Sequence, residues 1–330
     1  MSGIVAATDD AIAAAVAHLR EGRLVAFPTE TVYGLGADAA NADAVRRIFA
    51  AKGRPADHPV IVHVADAAAI EAWAHDVPSG ARKLAEAFWP GPLTLIVPRA
   101  AHVHDIVTGG QDSVGVRVPS HPVARALLEA FGGGIAAPSA NRFGHVSPTS
   151  AAHVAADLGE KPALILDGGA CIVGIESTIV AFRGDVPLLL RPGGIGLDAL
   201  ARVLGRPPLT AARDAPRASG TLASHYAPKT PASLLAPDML RAELAQLIAR
   251  DEVVAVLART LEPPEDFDGA WIAGARDPTG YAHDLYAHLR ALDAADADAL
   301  LIEDVPQDAA WLAVRDRLTR ATQGEDDDRD

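Results

Sequence analysis

The sequence predicts an α/β protein of two domains, and three observations lead there. Short apolar runs alternate with helical patterns through the first two thirds of the chain. A proline-rich stretch with little hydrophobic periodicity then occupies residues 206–231. Beyond it, a helix–strand–helix–strand–helix rhythm implies a smaller α/β unit with a largely parallel sheet. The 330 residues, 49% hydrophobic and 22% charged, suffice for two cores of ordinary globular composition.

In chain order, residues 9–20 read as a helix with acids at its start. Leu24 to Phe27 form the first expected strand. A helix over 42–52 follows, with Asn41 as N-cap and Gly53 just past its end. Strands are expected over Pro59–Val64, Leu93–Val97 and Val114–Val118, and over Leu164–Leu166, Thr178–Val180 and Leu188–Leu190. Helices are expected over 80–89 and over 122–131, where Pro122 suits a first helical turn. In the second part the pattern predicts helix 238–249, strand 253–257, helix 278–292, strand 299–303 and helix 309–321. The domains are thus expected at 1–205 and 232–322, joined by the linker 206–231, with a disordered acidic tail over 323–330.

Charge narrows the function. The chain carries a net −14, which argues against a surface built to hold nucleic acid. Residues 1–205 hold 16 Lys/Arg against 20 Asp/Glu, and the remainder 13 against 23, so the acid excess lies mainly beyond residue 205. One cysteine, Cys171, excludes an internal disulfide framework and a multi-cysteine zinc site, and reads as a small buried hydrophobe. With no leader pattern and no long uncharged apolar run, a cytoplasmic location and no membrane are expected. No Gly-Lys pair exists for a P-loop, and Ala39 stands where a dinucleotide fingerprint needs its third glycine. His102-Val103-His104-Asp105 has no further ligand at useful spacing and reads as a solvated loop.

The residues able to carry chemistry fall at strand ends, where open α/β sheets bind ligands. Pro28-Thr29-Glu30-Thr31-Val32-Tyr33-Gly34-Leu35-Gly36 follows a strand and gathers hydroxyls, a carboxylate and glycines. Lys52-Gly53-Arg54 places two cations at a helix end, either to complement the dipole or to hold a polyphosphate. Alternation puts Val60, Val62 and Val64 on one face and His63 on the other. It likewise separates Arg117 from Val114, Val116 and Val118. Ala137-Pro138-Ser139-Ala140-Asn141 offers short uncharged hydrogen-bonding groups, and Ile175-Glu176-Ser177-Thr178 and Arg191-Pro192-Gly193 flank further strands.

Together these motifs resemble the YrdC/Sua5 family, in order, over essentially all of residues 10–200. Ser224-His225-Tyr226-Ala227-Pro228 resembles the linker motif of the longer Sua5 form. The resemblance implies a YrdC-like twisted mixed sheet with a central cleft, and a smaller Rossmann-like C-terminal Sua5 domain. It also implies synthesis of L-threonylcarbamoyladenylate and diphosphate from L-threonine, bicarbonate and ATP, for the t6A modification of tRNA. By motif position, threonine would meet Thr31, His63, Arg117, Ala137 and Ser177. ATP would meet Lys52, Arg54, His58, Ser113, Ser139, Asn141, Ser147, Arg191 and Tyr226. Lys52, Arg54 and Arg191 would neutralise the developing charge, and Mg2+ would ride on the phosphates without dedicated protein ligands. The product would pass to the tRNA threonylcarbamoyltransferase machinery, with no strong direct nucleic-acid binding by this chain. A carbamoyltransferase-like enzyme and a non-catalytic nucleotide- or RNA-binding module are the alternatives. The resemblance also makes the linker 206–231 a flap over the active site; where the family pattern there has proline and methionine, this chain has Ser219 and Thr221, which leaves the flap's backbone freer. His225 reads as a gating residue before a general base.

Overall fold

The computed structural model describes residues 3–210, 215–221 and 225–323. Two compact units divide them: the first runs to residue 143 and resumes over 148–221, and the second takes 144–147 and the chain from 225. Ser224 and the acidic tail from 324 lie outside the described residues.

The first unit contains β1 (Ile4–Ala6), α1 (Asp9–Arg20), β2 (Val25–Phe27), β3 (Gly34–Asp38), α2 (Ala42–Lys52) and β4 (Ile61–His63). There follow α3 (Ser79–Phe88), β5 (Leu93–Pro98), α4 (Asp105–Thr108), β6 (Ser113–Arg117), α5 (Pro122–Phe131) and β7 (Ile135–Ala136). It closes with α6 (Ala151–Leu158), β8 (Leu164–Asp167), β9 (Thr178–Arg183), β10 (Val186–Arg191), α7 (Leu197–Leu204) and β11 (Leu209–Thr210). The strands form one mixed sheet of eleven in the order β1-β8-β2-β3-β7-β4-β6-β5-β9-β10-β11.

The expected alternation is the sheet's organising feature. Val60, Val62, Val64, Val114, Val116 and Val118 enter the main core beside Val45, Ile48 and Phe49 of α2. Ile61, Ile96, Ile179, Ala181 and Leu188 form a separate buried cluster. Helix α2 begins and ends as its residues dictate. Asn41 Oδ1 accepts the Asp43 and Ala44 amides at 3.1 Å, a cap worth about 1 kcal/mol. Gly53 takes the left-handed turn that stops the helix, at φ 67°. The turn places Arg54 within hydrogen-bonding reach of Pro59.

Two elements differ from expectation. Gly34-Leu35-Gly36, outside every expected strand, opens strand β3. A Cβ on Gly36 would come 2.8 Å from Phe27 Cε1 and 2.9 Å from Ile135 Cγ2, so glycine marks close packing there. The linker is also less extended than its prolines suggest. Residues Leu209–Thr210 pair with β10, and Ala218 is buried against Ile61, Ile96, Ile179, Ala181 and Leu188.

The second unit holds β12 (Ala232–Leu235), α8 (Pro237–Ile248), β13 (Val254–Ala258), β14 (Trp271–Ala273), α9 (Pro278–Asp293), β15 (Ala299–Glu303) and α10 (Leu312–Thr322). Its strands lie in the order β12-β15-β13-β14, and every pair is parallel. The expected last helix starts with a 3-10 turn over Ala309–Trp311. The strands β12 and β14 are short and largely half-buried, and the sequence pattern did not flag them.

Candidate functional site

Sheet register builds the site as a row across neighbouring strands. His63 on β4 pairs in register with Arg117 on β6. On β4's other side it faces Ile135 of β7, two residues before Ala137. Antiparallel pairing of Leu95 with Val116 sets Thr94 of β5 near Arg117. Parallel pairing of Leu93 with Thr178 brings Ser177 beside β5, and Ile179 lies opposite Arg191 of β10. Residues far apart in sequence therefore share one line because each ends or begins a strand.

Arg117 is 4% exposed and held from three sides. Its Nε donates to Gly91 O at 3.3 Å, its Nη1 to Thr31 Oγ1 at 2.9 Å, and its Nη2 lies 2.7 Å from Glu30 Oε1. The turn carrying Glu30 and Thr31 is fixed by Thr29. Its hydroxyl donates to Val32 O at 2.6 Å and accepts the Thr31 and Val32 amides at 3.2 Å. With that proton committed, Thr31 donates across the 2.8 Å contact to Thr29 and accepts from Arg117. His63, edge-on to Phe27, is buried, and burial together with the Arg117 charge pushes its pKa down to about 3. The imidazole is neutral near neutral pH and offers the row a hydrogen bond rather than a charge.

At the other end of the row, Ser177 Oγ meets Thr94 Oγ1 at 2.8 Å. Arg191 Nη2 donates to Ser177 O at 3.0 Å and to its Oγ at 3.1 Å, and Nε donates to the same carbonyl at 3.1 Å. Gly193 makes this grip possible, since a Cβ there would lie 2.4 Å from Glu176 O and from Thr178 N.

A cationic group adjoins it. Lys52 Nζ donates to Ser139 O and Asn141 O, each at 2.5 Å, so the helix end and the Pro138–Asn141 loop are tied together. Burial first, then repulsion from Arg54, pulls the Lys52 pKa well below the usual lysine range. A phosphate group arriving there would favour the charged form again. Arg54 Nη2 donates to Pro59 O at 2.8 Å, and its guanidinium lies 5.8 Å from the Phe143 ring. His58 is edge-on to the same ring, its pKa lowered by burial and by Arg54.

Ser219 reaches both arginines. Its hydroxyl lies 3.4 Å from Arg54 Nη2, and its carbonyl accepts from Arg191 Nη1 at 2.7 Å. Gln111 fastens the same segment by two bonds to the Arg217 backbone, at 3.1 and 2.7 Å. The serine that departs from the family pattern thus adds a polar contact that proline lacks.

Of the expected residues, Thr31, His63, Arg117, Ala137 and Ser177 lie along the row or directly beside it. Lys52, Arg54, Ser139, Asn141 and Arg191 form the cationic group, with His58 next to Arg54. Ser113 starts β6, opposite Pro98. Ser147 and Tyr226 belong to the second unit. There Ser147 O accepts from Arg290 at 3.3 Å, and Tyr226 stacks on Tyr286 with the Arg317 guanidinium 5.2 Å from its ring. His225 sits edge-on to Tyr226 and donates its amide to Arg320 O. Cys171 is buried, its pKa raised to about 12 by burial and the Glu30 charge, and it is not a nucleophile. Asp105 pairs with Arg99 at 2.5 Å, and His104 Nε2 lies 3.1 Å from Ala40 O. Glu30 and Thr94 were not singled out from sequence; the PTET and LTL segments named them without naming their partners.

A mixed sheet lines up an arginine, hydroxyls and an imidazole beside clustered cations, the donor types that an α/β enzyme acting on anionic small molecules needs. The chain belongs to the Sua5/YciO/YrdC family. The family model described as "Telomere recombination" matches residues 17–193, and that of the threonylcarbamoyl-AMP synthase C-terminal domain matches 195–323. The chain is 41% identical over 319 residues to the threonylcarbamoyl-AMP synthase of Pyrococcus abyssi, covering 93% of each. It is 40% identical to that of Bacillus subtilis, covering 96% of this chain and 94% of the relative. The crystal structure of P. abyssi Sua5 complexed with L-threonine superposes with a TM-score of 0.87 at 40% identity, covering 94% of each chain.

Proposed function

We propose that the chain is an L-threonylcarbamoyladenylate synthase, an ATP-using enzyme that supplies the tRNA t6A modification. The amine of threonine attacks the carbon of bicarbonate, water leaves, and a carbamate forms. A carbamate oxygen then attacks the α-phosphorus of ATP, and pyrophosphate departs. Relatives spanning over nine tenths of the chain carry the synthase name, which favours this reading over a carbamoyltransferase or a non-catalytic binding module.

The observation that carries the site assignment is the continuity of the row: Ser177 touches Arg191 in the same line as Arg117 and His63. Arg117 suits the threonine carboxylate because a guanidinium presents paired donors to paired oxygens. Thr31, His63, Ser177 and the Ala137 backbone offer hydrogen bonds around it. Lys52, Arg54 and Arg191, with His58, Ser113, Ser139 and Asn141, suit ATP. No covalent protein nucleophile is needed; two anions must be brought together and their charge met. Mg2+ would accompany ATP. Phosphate oxygens and water would be its main ligands.

The product would go to a tRNA threonylcarbamoyltransferase in the cytoplasm. Among the described residues no helix is long and apolar enough to cross a membrane. The test is pyrophosphate release with ATP, Mg2+, bicarbonate and L-threonine. Release that requires both threonine and bicarbonate supports the reading; release indifferent to either overturns it.

A further inference from the structure

Glu30 lies in the threonine row without a part in the chemistry above. It is 1% exposed, and a buried carboxylate must be paired. Its Oε1 is 2.7 Å from Arg117 Nη2, and its Oε2 accepts the Ser120 amide at 3.1 Å. Stability alone is a weak reason for such a pair, because apolar residues in its place often serve a fold as well or better.

Two effects of the pair are visible. The consecutive residues Glu30 and Thr31 take one terminal nitrogen of Arg117 each, while Gly91 O takes Nε. The guanidinium plane is therefore fixed, with at least one N–H left on each terminal nitrogen, enough for the two oxygens of one carboxylate. The second effect is electrostatic. Arg117 is buried, and the Glu30 charge at 2.7 Å offsets its own. An inorganic dianion would meet the negative Glu30 at contact distance. An amino acid brings only a single-charge carboxylate, balanced by its own ammonium.

We infer that Glu30 is a selectivity residue: it orients Arg117 and cancels its charge, so that this end of the row takes an amino-acid carboxylate and rejects inorganic polyanions. The inference rests on Arg117 as the partner of the threonine carboxylate. Glu30 acts through Arg117 and is a positioning residue, not a catalytic one.

The test is calorimetric binding of L-threonine to the full chain, with and without about 20 mM sulfate at constant ionic strength, for the parent, Glu30→Gln and Glu30→Asp. Sulfate should change the parent affinity less than about twofold. Glu30→Gln leaves a buried guanidinium uncompensated, and sulfate should then weaken threonine binding about tenfold, competitively. Glu30→Asp keeps the charge and should restore most of the resistance. Equal sulfate sensitivity in parent and Glu30→Gln overturns the inference, as does loss of resistance in both variants alike. If Glu30→Gln fails to fold, the Asp variant decides: sulfate sensitivity equal to that of Arg117→Lys would overturn it. A parent chain that binds no threonine would instead defeat the site assignment.

Discussion

Replacing Arg117 by lysine keeps the charge and removes the fork. In the parent, three guanidinium nitrogens reach Gly91 O at 3.3 Å, Thr31 Oγ1 at 2.9 Å and Glu30 at 2.7 Å. A lysine nitrogen opposite Glu30 cannot span to Gly91 O and Thr31 as well. Two hydrogen bonds from the cation to neutral acceptors are lost, about 1.5–3 kcal/mol each, a substantial part of a domain stability of about 5–15 kcal/mol. Alanine is the poorer probe, because it strands Glu30 as an unpaired buried charge at a cost of about 3–5 kcal/mol. For substrate, a two-point grip on the carboxylate becomes a one-point grip. One charge-assisted hydrogen bond is worth about 1.5–3 kcal/mol, so KM for threonine should rise about 10- to 150-fold. KM for ATP should stay within about twofold, since the partners that hold Arg117 are Gly91, Thr31 and Glu30 and not the Lys52–Arg54 group. Initial rates of pyrophosphate release, with one substrate varied and the others saturating, separate the two. A threonine KM within threefold of the parent, or equal shifts for both substrates, would contradict a two-point grip of Arg117 on the carboxylate.

Further predictions concern other residues of the same unit. His63 refuses a proton in the fold that the unfolded chain accepts below about pH 6.5, so its contribution to stability is lost as pH falls from 6.5 toward 3. Parent minus His63→Asn stability, from urea unfolding, should shrink by up to about 1.4 kcal/mol per pH unit across that range; a constant difference would contradict the burial argument. Lys52→Met should lower kcat about 10²- to 10³-fold with little change in threonine affinity, checked by single-turnover kinetics. Gly193→Ala drives a Cβ into backbone atoms 2.4 Å away and should displace the Arg191 turn, lowering kcat/KM for ATP more than for threonine. Ser219→Ala removes only a long 3.4 Å contact while the carbonyl bond to Arg191 stays, so KM for ATP should change less than about threefold.

What could be read beforehand was periodic or local. Alternation assigned His63 and Arg117 to the face away from the valines, and the register between β4 and β6 sets them side by side. Caps named the ends of α2, because Asn41 and Gly53 act within a turn of themselves. What escaped was long-range. Glu30 meets a guanidinium 87 positions later, and no pattern near Glu30 announces it. The segment 215–221 shows no periodicity, yet Ala218 enters a buried cluster and Ser219 reaches two arginines. Strand β3 was hidden by glycines, which lower strand propensity but allow Phe27 and Ile135 to close over Gly36. The overall charge also misled in part. An acidic chain gathers its Lys52, Arg54, Arg117 and Arg191 in one unit, where their placement and not their number gives them effect.

A threonylcarbamoyladenylate synthase joins threonine, bicarbonate and ATP into a single adenylate. Incubation with ¹³C-bicarbonate, L-threonine, ATP and Mg2+, followed by mass spectrometry of the nucleotide fraction, tests it directly. A threonine-bearing AMP adduct that carries one ¹³C should form in step with pyrophosphate and be absent without threonine. Pyrophosphate released with no labelled adduct, even in rapidly quenched samples, would contradict it.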